Sequence, residues 1–253
     1  MSINSRLSRY PSNALGAVLA IARSEAIVLA AMAAAAAATL AFIDIADDSS
    51  EGKGRAFDQA VLEWLHPYAD HAKPIGPDWF GHAVRDLTSL GSVAVLAVLA
   101  LIVFFYLVLQ KRRLKAAALV VSLGGGLMLS ETLKQVFERT RPPAEWHAAE
   151  SLNASFPSGH ALLSTVVYLT LGAMLARAAK TPALKGYAMG VAVALAFVVG
   201  ASRVYLGVHW ASDVLGGWSL GAAWATVCWL AERGIAHRRS QPSQPVVSPG
   251  DAF

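Results

Sequence analysis

The chain has few means of holding a soluble domain together by covalent or metal chemistry. It contains one cysteine, Cys228, so an intrachain disulfide and a cysteine metal site are both excluded. With no disulfide framework to read, cysteine usage leaves the compartment open. Charge is also scarce, at 15% of 253 residues. Soluble domains carry roughly 25%. The basic residues lie beside apolar runs rather than along one face, and no nucleic-acid-binding module is present. No internal repeat and no composition break marks a second domain.

What is abundant is apolar. Hydrophobic residues make up 55% of the chain and the mean hydropathy is +0.47. A bilayer-crossing helix needs about 20 mostly apolar residues. Runs of that kind occupy 24–45, 91–110, 116–137, 158–176, 186–203 and 213–232. The fold expected is all-α, a bundle of six transmembrane helices. Residues 1–23 form a cytoplasmic lead, 24–232 the membrane domain, and 233–253 a disordered cytoplasmic tail. Within the lead, Asn13 to Arg23 has helical amphipathicity suited to a membrane surface. The first run is read as an uncleaved anchor rather than a signal peptide, because it exceeds the usual ~7–15 residues of a signal h-region. Between the first two runs, Phe57, Val61, Leu62, Trp64 and Leu65 recur at helical spacing. They predict a short interfacial helix, with Trp64 and Trp79 at headgroup level. Gly124, Gly125 and Gly126 allow close helix contact in the third span.

Charge asymmetry orients the bundle. With six spans, 13 Lys/Arg and 3 Asp/Glu fall on the side holding both termini, and 8 Lys/Arg and 14 Asp/Glu on the other. The positive-inside rule then places both termini in the cytoplasm. An inner, plasma-membrane protein with its polar loops facing outward is the expectation.

Three polar clusters interrupt this apolar background at span ends. Lys134 is followed seven residues later by Arg141, with Pro142 and Pro143 stopping any helix beyond. A snorkelling cation is the plain reading of either one alone. Pro157, Ser158, Gly159 and His160 open the fourth span. Ser158 suits a cap, Gly159 admits a ligand close to the backbone, and free N–H groups at a helix start attract anions. A single histidine at such a place is more often structural; the flanking Pro-Ser-Gly weighs against that. Arg203, His209 and Asp213 follow at spacings of six and four residues. A carboxylate four residues from an imidazole can hold one ring nitrogen and leave the other to attack. A structural ion pair and a His/Asp metal site are the rival readings. The surrounding cations and the lack of clustered carboxylates oppose a metal. Glu131 is placed to pair with Lys134. Glu138, Arg139, Glu145, His147 and Glu150 read as solvated loop charge, and Trp210, Trp218, Trp224 and Trp229 as packing for span six.

Together the clusters resemble the signature of the type-2 phosphatidic-acid phosphatase superfamily: Lys-x6-Arg-Pro, Pro-Ser-Gly-His, and Ser-Arg-x5-His-x3-Asp. All three parts occur in order, over about eighty residues between Lys134 and Asp213. The stretch Arg85 to Gly91 is similar to one that precedes the second span in many bacterial members. The resemblance implies a lipid phosphatase needing no metal or cofactor. Lys134, Arg141, Arg203, Ser158 and the Gly159 amide would bind phosphate. His209 would attack phosphorus, oriented by Asp213, and His160 would protonate the leaving oxygen. The implied partners are a lipid phosphate and bilayer lipids, with no nucleic acid and no obligatory protein. Polyprenyl diphosphate, phosphatidylglycerol phosphate, phosphatidic acid and lipid A phosphate are the candidate substrates, the undecaprenyl carrier foremost. A phosphotransferase using an alcohol acceptor remains open. So does a transporter, although its charges belong near the bilayer midplane rather than at helix ends.

Overall fold

The computed structural model describes residues 12–149 and 154–240, with side chains over 25–149 and 154–239. The side chains of the amphipathic lead, Glu150 and the tail beyond 240 lie outside these residues. Every regular element described is helical. In chain order they are α1 (Ser12–Glu51), α2 (Arg55–Leu65), α3 (Asp78–Thr88), α4 (Val93–Leu109), α5 (Arg113–Phe137), α6 (Gly159–Ala178), α7 (Pro182–Tyr205) and α8 (Ala211–Ser240). Single 3-10 turns occupy Ser89–Gly91 and Ala144–Trp146.

Among the described residues five helices are long and apolar enough to cross a bilayer, and six spans result when α3 and α4 count as one bent pair. α4 alone has 17 residues, and it meets α3 at a 50° break. Ser92 starts α4 by accepting the Val95 amide at 3.3 Å. α2 and α3 are short amphipathic helices in the segment between α1 and α4, with Trp64 and Trp79 exposed. One boundary differs from the sequence reading. α1 begins by Ser12, which agrees with the helical stretch read within the lead, whereas α8 runs to Ser240, eight residues into the supposed tail. That last stretch is mostly polar and basic, so hydropathy missed it. Helix hydrogen bonding is local and carries past the apolar limit.

α6 is the central helix. It packs against α7, α8, α5 and α4. Its residues Ala161 to Tyr168 are all buried. Leu162, Leu163, Val166 and Val167 join Leu96 and Val199 in the main core. The outer surface is apolar too, with Ile102, Phe105, Met128, Val136 and Phe197 each more than half exposed. An apolar exterior of that extent is what lipid contact requires.

In lipid, helices associate through packing and interhelical hydrogen bonds rather than water exclusion. Tyr168 donates to the Leu90 carbonyl at 2.7 Å, Trp218 to Ala196 at 3.0 Å and Trp224 to Ser122 at 2.9 Å. Such bonds average ~0.6 kcal/mol each in membrane proteins. The tightest seam joins α6 to α8. A Cβ on Gly217 would lie 2.8 Å from the Ser158 carbonyl oxygen, and one on Gly221 2.7 Å from that of Leu162. Of the three consecutive glycines in α5, Gly125 faces Trp224 and Gly126 faces Val166, whereas Gly124 has no neighbour within 4 Å.

This contrast is testable. Gly221→Ala forces the α6 and α8 backbones apart and should cost about 1–3 kcal/mol, as overpacking does. Thermal denaturation in detergent should show a lowered midpoint for Gly221→Ala and an unchanged one for Gly124→Ala. Equal midpoints would mean that the seam is not close-packed.

Candidate active site

Alternating helix directions bring four ends together. Lys134 closes α5, Ser158 caps α6, Arg203 lies in the last turn of α7, and Asp213 in the first turn of α8. The Ser158 amide donates to the Asp213 carbonyl at 3.0 Å, tying the second motif to the third. Phe156 is fully buried, stacked on Phe42 of α1 and edge-on to Phe137 of α5. It fixes the loop that delivers Ser158.

His209 sits in the turn between α7 and α8, 2% exposed. Its Nδ1 lies 3.3 Å from Asp213 Oδ2, and its Nε2 lies 3.0 Å from Arg141 Nη1. A guanidinium can only donate, so Nε2 accepts and Nδ1 carries the proton, which it gives to Asp213. Burial pushes the imidazole down to about 4, with Arg141 and Arg203 adding to the effect and Asp213 opposing it. The ring is therefore neutral near pH 7, with one lone pair aimed at a cation. Arg141 also donates to the Val208 carbonyl at 2.7 Å. Burial holds its own proton affinity below the ordinary value, against the pull of Asp213.

His160 stands in the first turn of α6, within electrostatic range of Arg203, His209, Lys134 and Arg141. The two imidazoles thus share one cationic surround. Lys134 pairs with Glu131 at 3.1 Å, as the spacing suggested, but Glu131 is well exposed while Lys134 is not. Gly159 presses on Lys134: a Cβ there would lie 3.3 Å from Nζ and 3.3 Å from Ser130 Oγ. The missing side chain therefore leaves room for the ammonium as well as for a ligand. Arg203 is 5% exposed and donates to Thr88 Oγ1 at 3.2 Å. Its Nε, Ser158 Oγ and Ser130 Oγ are buried with no hydrogen-bond partner among the described residues. A buried donor left unpaired costs about 1–3 kcal/mol, so these groups are poised for an acceptor-rich ligand such as a phosphoryl group.

All eight residues singled out from the sequence come to this one end of the bundle. Four more belong with them and were missed. Arg139, read as solvated loop charge, is partly buried between two carboxylates: it meets Asp58 Oδ2 at 2.7 Å and also Asp213 Oδ1. It donates as well to Ser212 Oγ at 2.8 Å. Asp58 is 1% exposed and accepts from the Ser212 amide and hydroxyl at 2.8 and 2.6 Å. Ser155 donates a short hydrogen bond to Asp213 Oδ2. The signal for Asp58 was an acid on the apolar stripe of α2, beside Val61 and Leu62. Thr88, inside the stretch Arg85 to Gly91, holds Arg203. His147 stands at the rim rather than the centre: its Nε2 donates to the Pro142 carbonyl at 2.9 Å, and burial lowers its proton affinity.

Removing one partner from a buried charge pair costs about 3–5 kcal/mol, because the other charge is stranded. Arg139→Ala, which strands both Asp58 and Asp213, should therefore lower the melting midpoint more than Asp58→Asn combined with Arg139→Gln, which neutralises position 58 and keeps an amide donor for Asp213. Denaturation of the three proteins in one detergent checks this; equal losses would show that the ion pair carries no charge-specific weight.

The PAP2 superfamily pattern matches residues 115–235. Phosphatidylglycerophosphatase B of Bacillus subtilis is 34% identical over 146 residues, spanning 56% of this chain and 70% of that protein. Undecaprenyl-diphosphatase of Sulfolobus acidocaldarius is 33% identical over 121 residues, 46% of this chain and 54% of its own. The crystal structure of a transmembrane PAP2-type phosphatidylglycerolphosphate phosphatase from Bacillus subtilis superposes with a TM-score of 0.70 at 25% identity, covering 83% of this chain and 98% of that one. The protein is thus an integral membrane hydrolase of phosphoric ester bonds, and the chain belongs to the PAP2 superfamily.

Proposed function

We propose that this membrane lipid phosphatase works through a phosphohistidine on His209, without a metal. The observation that carries the reading is the pairing at His209: Nδ1–H to Asp213, and a lone pair on Nε2 within a ring of cations. Phosphoryl transfer needs positioning and charge stabilisation more than covalent assistance. Lys134, Arg141 and Arg203 supply positive charge to the phosphate oxygens, and Ser158 Oγ and the Gly159 amide supply donors.

The steps balance as follows. Nε2 of His209 attacks the terminal phosphorus in line, and the P–O bond to the leaving oxygen breaks, an ester bond in a phosphomonoester and the anhydride bond in a diphosphate. His160, protonated in the presence of the bound anion, gives its proton to the leaving oxygen. Asp213 balances the charge that develops on the His209 ring. Water, deprotonated by the now neutral His160, then attacks phosphorus, breaking the P–N bond and releasing inorganic phosphate. Arg139 and Asp58 act at one remove, by holding Asp213.

The substrate reading is a lipid phosphomonoester or diphosphate, a polyprenyl diphosphate foremost, in keeping with the diphosphatase among the relatives. An apolar cleft of about 550 Å³ between α2, α3, α7 and α8 suits its tail. Phe57, Val61, Phe197 and Trp218 line it beside Ser202 and Tyr205. A transferase giving the phosphate to an alcohol shares every step except the last nucleophile. The site would face the outer side of a bacterial inner membrane, with both termini cytoplasmic.

Purified protein should release phosphate from polyprenyl diphosphate at an undiminished rate in EDTA. His209→Ala should abolish release, and His160→Ala should slow it by about 10²–10⁴-fold, the usual worth of a general acid. Wild-type enzyme given ³²P-labelled substrate and quenched in alkaline SDS should carry base-stable label that is lost on later acid treatment, and His209→Ala should carry none. A fully active His209→Ala would reject the mechanism. For orientation, a fluorescent-protein fusion to the C terminus should glow in cells, and an alkaline-phosphatase fusion there should be inactive; the reverse pattern would invert the topology.

A further inference from the structure

A second cavity, of about 690 Å³, lies at the opposite end of the bundle among α1, α5, α6, α7 and α8. From Gly159 to its rim residue Arg177 is about 27 Å along α6, at ~1.5 Å per residue. That is close to the ~30 Å of a bilayer hydrocarbon core. The rim therefore sits at the headgroup level of the other leaflet, far from the catalytic residues.

The cavity has two zones. Toward the bundle interior it is mostly apolar, with Leu169, Ala173, Met174, Met189 and Trp229 on its wall; the hydroxyls there are spent within the protein, Ser122 with Thr170 and Thr226 on the Ala222 carbonyl. Its α1 side is built from Ile27, Ala31 and Ala34, and alanines leave the gap between helices unfilled. At the rim stand Lys115, Arg177, Lys185 and Arg233, with Glu232 the one carboxylate among the lining residues. Arg177 takes up Glu232 in an ion pair, and Arg233 lies over the Trp229 ring at 5.5 Å. Four cations against one anion leave the rim positive. A water-soluble anion has no use for the apolar wall, and an uncharged lipid none for the rim. A ligand with an acidic head and a fatty chain satisfies both zones.

We propose that this cavity binds an anionic phospholipid of the leaflet opposite the active site, its phosphate on Lys115, Lys185 and Arg233 and one acyl chain in the cleft. Basic pockets between transmembrane helices recognise anionic headgroups on this principle. The ligand is a bound lipid rather than a substrate, because none of the residues that converge on His209 lies near the rim.

Cys228, the single cysteine, lines the cavity and reports its occupancy. Delipidated wild-type protein in detergent would be titrated with dialkyl phosphatidylglycerol, a phosphodiester without a cleavable monoester. The parallel titrations use dialkyl phosphatidylcholine and inorganic phosphate. Maleimide labelling of Cys228 and native mass spectrometry are the readouts. The expected result is one retained phosphatidylglycerol that slows labelling at least tenfold, with phosphatidylcholine and phosphate ineffective. Lys185→Gln and Arg233→Gln should each weaken the effect roughly fivefold, the worth of one cation near a headgroup. Equal protection by phosphatidylcholine would overturn the assigned headgroup, and protection by phosphate alone would overturn the lipid. Unchanged labelling in wild-type protein would overturn the site itself, whatever the variants do.

Discussion

The carboxylate of Asp213 is the constraint on which the rest turns. It is wholly buried and accepts from the His209 ring, the Trp210 amide, Ser155 and Arg139. A charge so far from water is tolerable only when paired and fully hydrogen-bonded. Its four donors come from the α7–α8 turn, the start of α8 and the loop between α5 and α6. Satisfying one anion therefore fixes the relative placement of three chain segments. Arg139 carries the constraint outward to Asp58 on α2, so an interfacial helix is locked to the same point.

The bundle supplies what that network needs. α6 is covered on all sides from Ala161 to Tyr168, just behind its first turn, while the glycine seam lets α8 approach near backbone contact. The polar groups then cluster at the helix ends, where the lipid ends and pairing partners are available: the set around His209 at one end, and Arg177 with Glu232 at the other. Between the ends the helices are held by apolar packing and a few indole and hydroxyl bonds. Division of labour along the helix axis explains how a chain this poor in charge keeps it out of the span.

The sequence disclosed the spans and the three motifs because both are local signals. Apolar runs announce spans, and Lys134, Arg141, His160, Arg203, His209 and Asp213 are conspicuous in apolar surroundings. Arg139 was obscure for the opposite reason. It lies among Glu138, Thr140 and Glu145 in a polar loop, where one more charge says nothing about burial. Its partner Asp58 is about eighty residues earlier, and pairing at that separation leaves no mark in either segment alone. Thr88 was within a noticed stretch, yet its contact with Arg203 depends on how α3 meets α7. The end of α8 was misjudged because hydropathy marks the lipid boundary, not the end of backbone hydrogen bonding.

The bond from Arg141 to Nε2 of His209 has a kinetic meaning for the reaction proposed here. In the resting site the guanidinium occupies the very lone pair that must attack. An arriving phosphate offers Arg141 better acceptors, and only then is the nitrogen uncovered. The nucleophile would thus be sheathed by default and drawn by its own substrate, so that stray electrophiles entering from the lipid find no reactive amine.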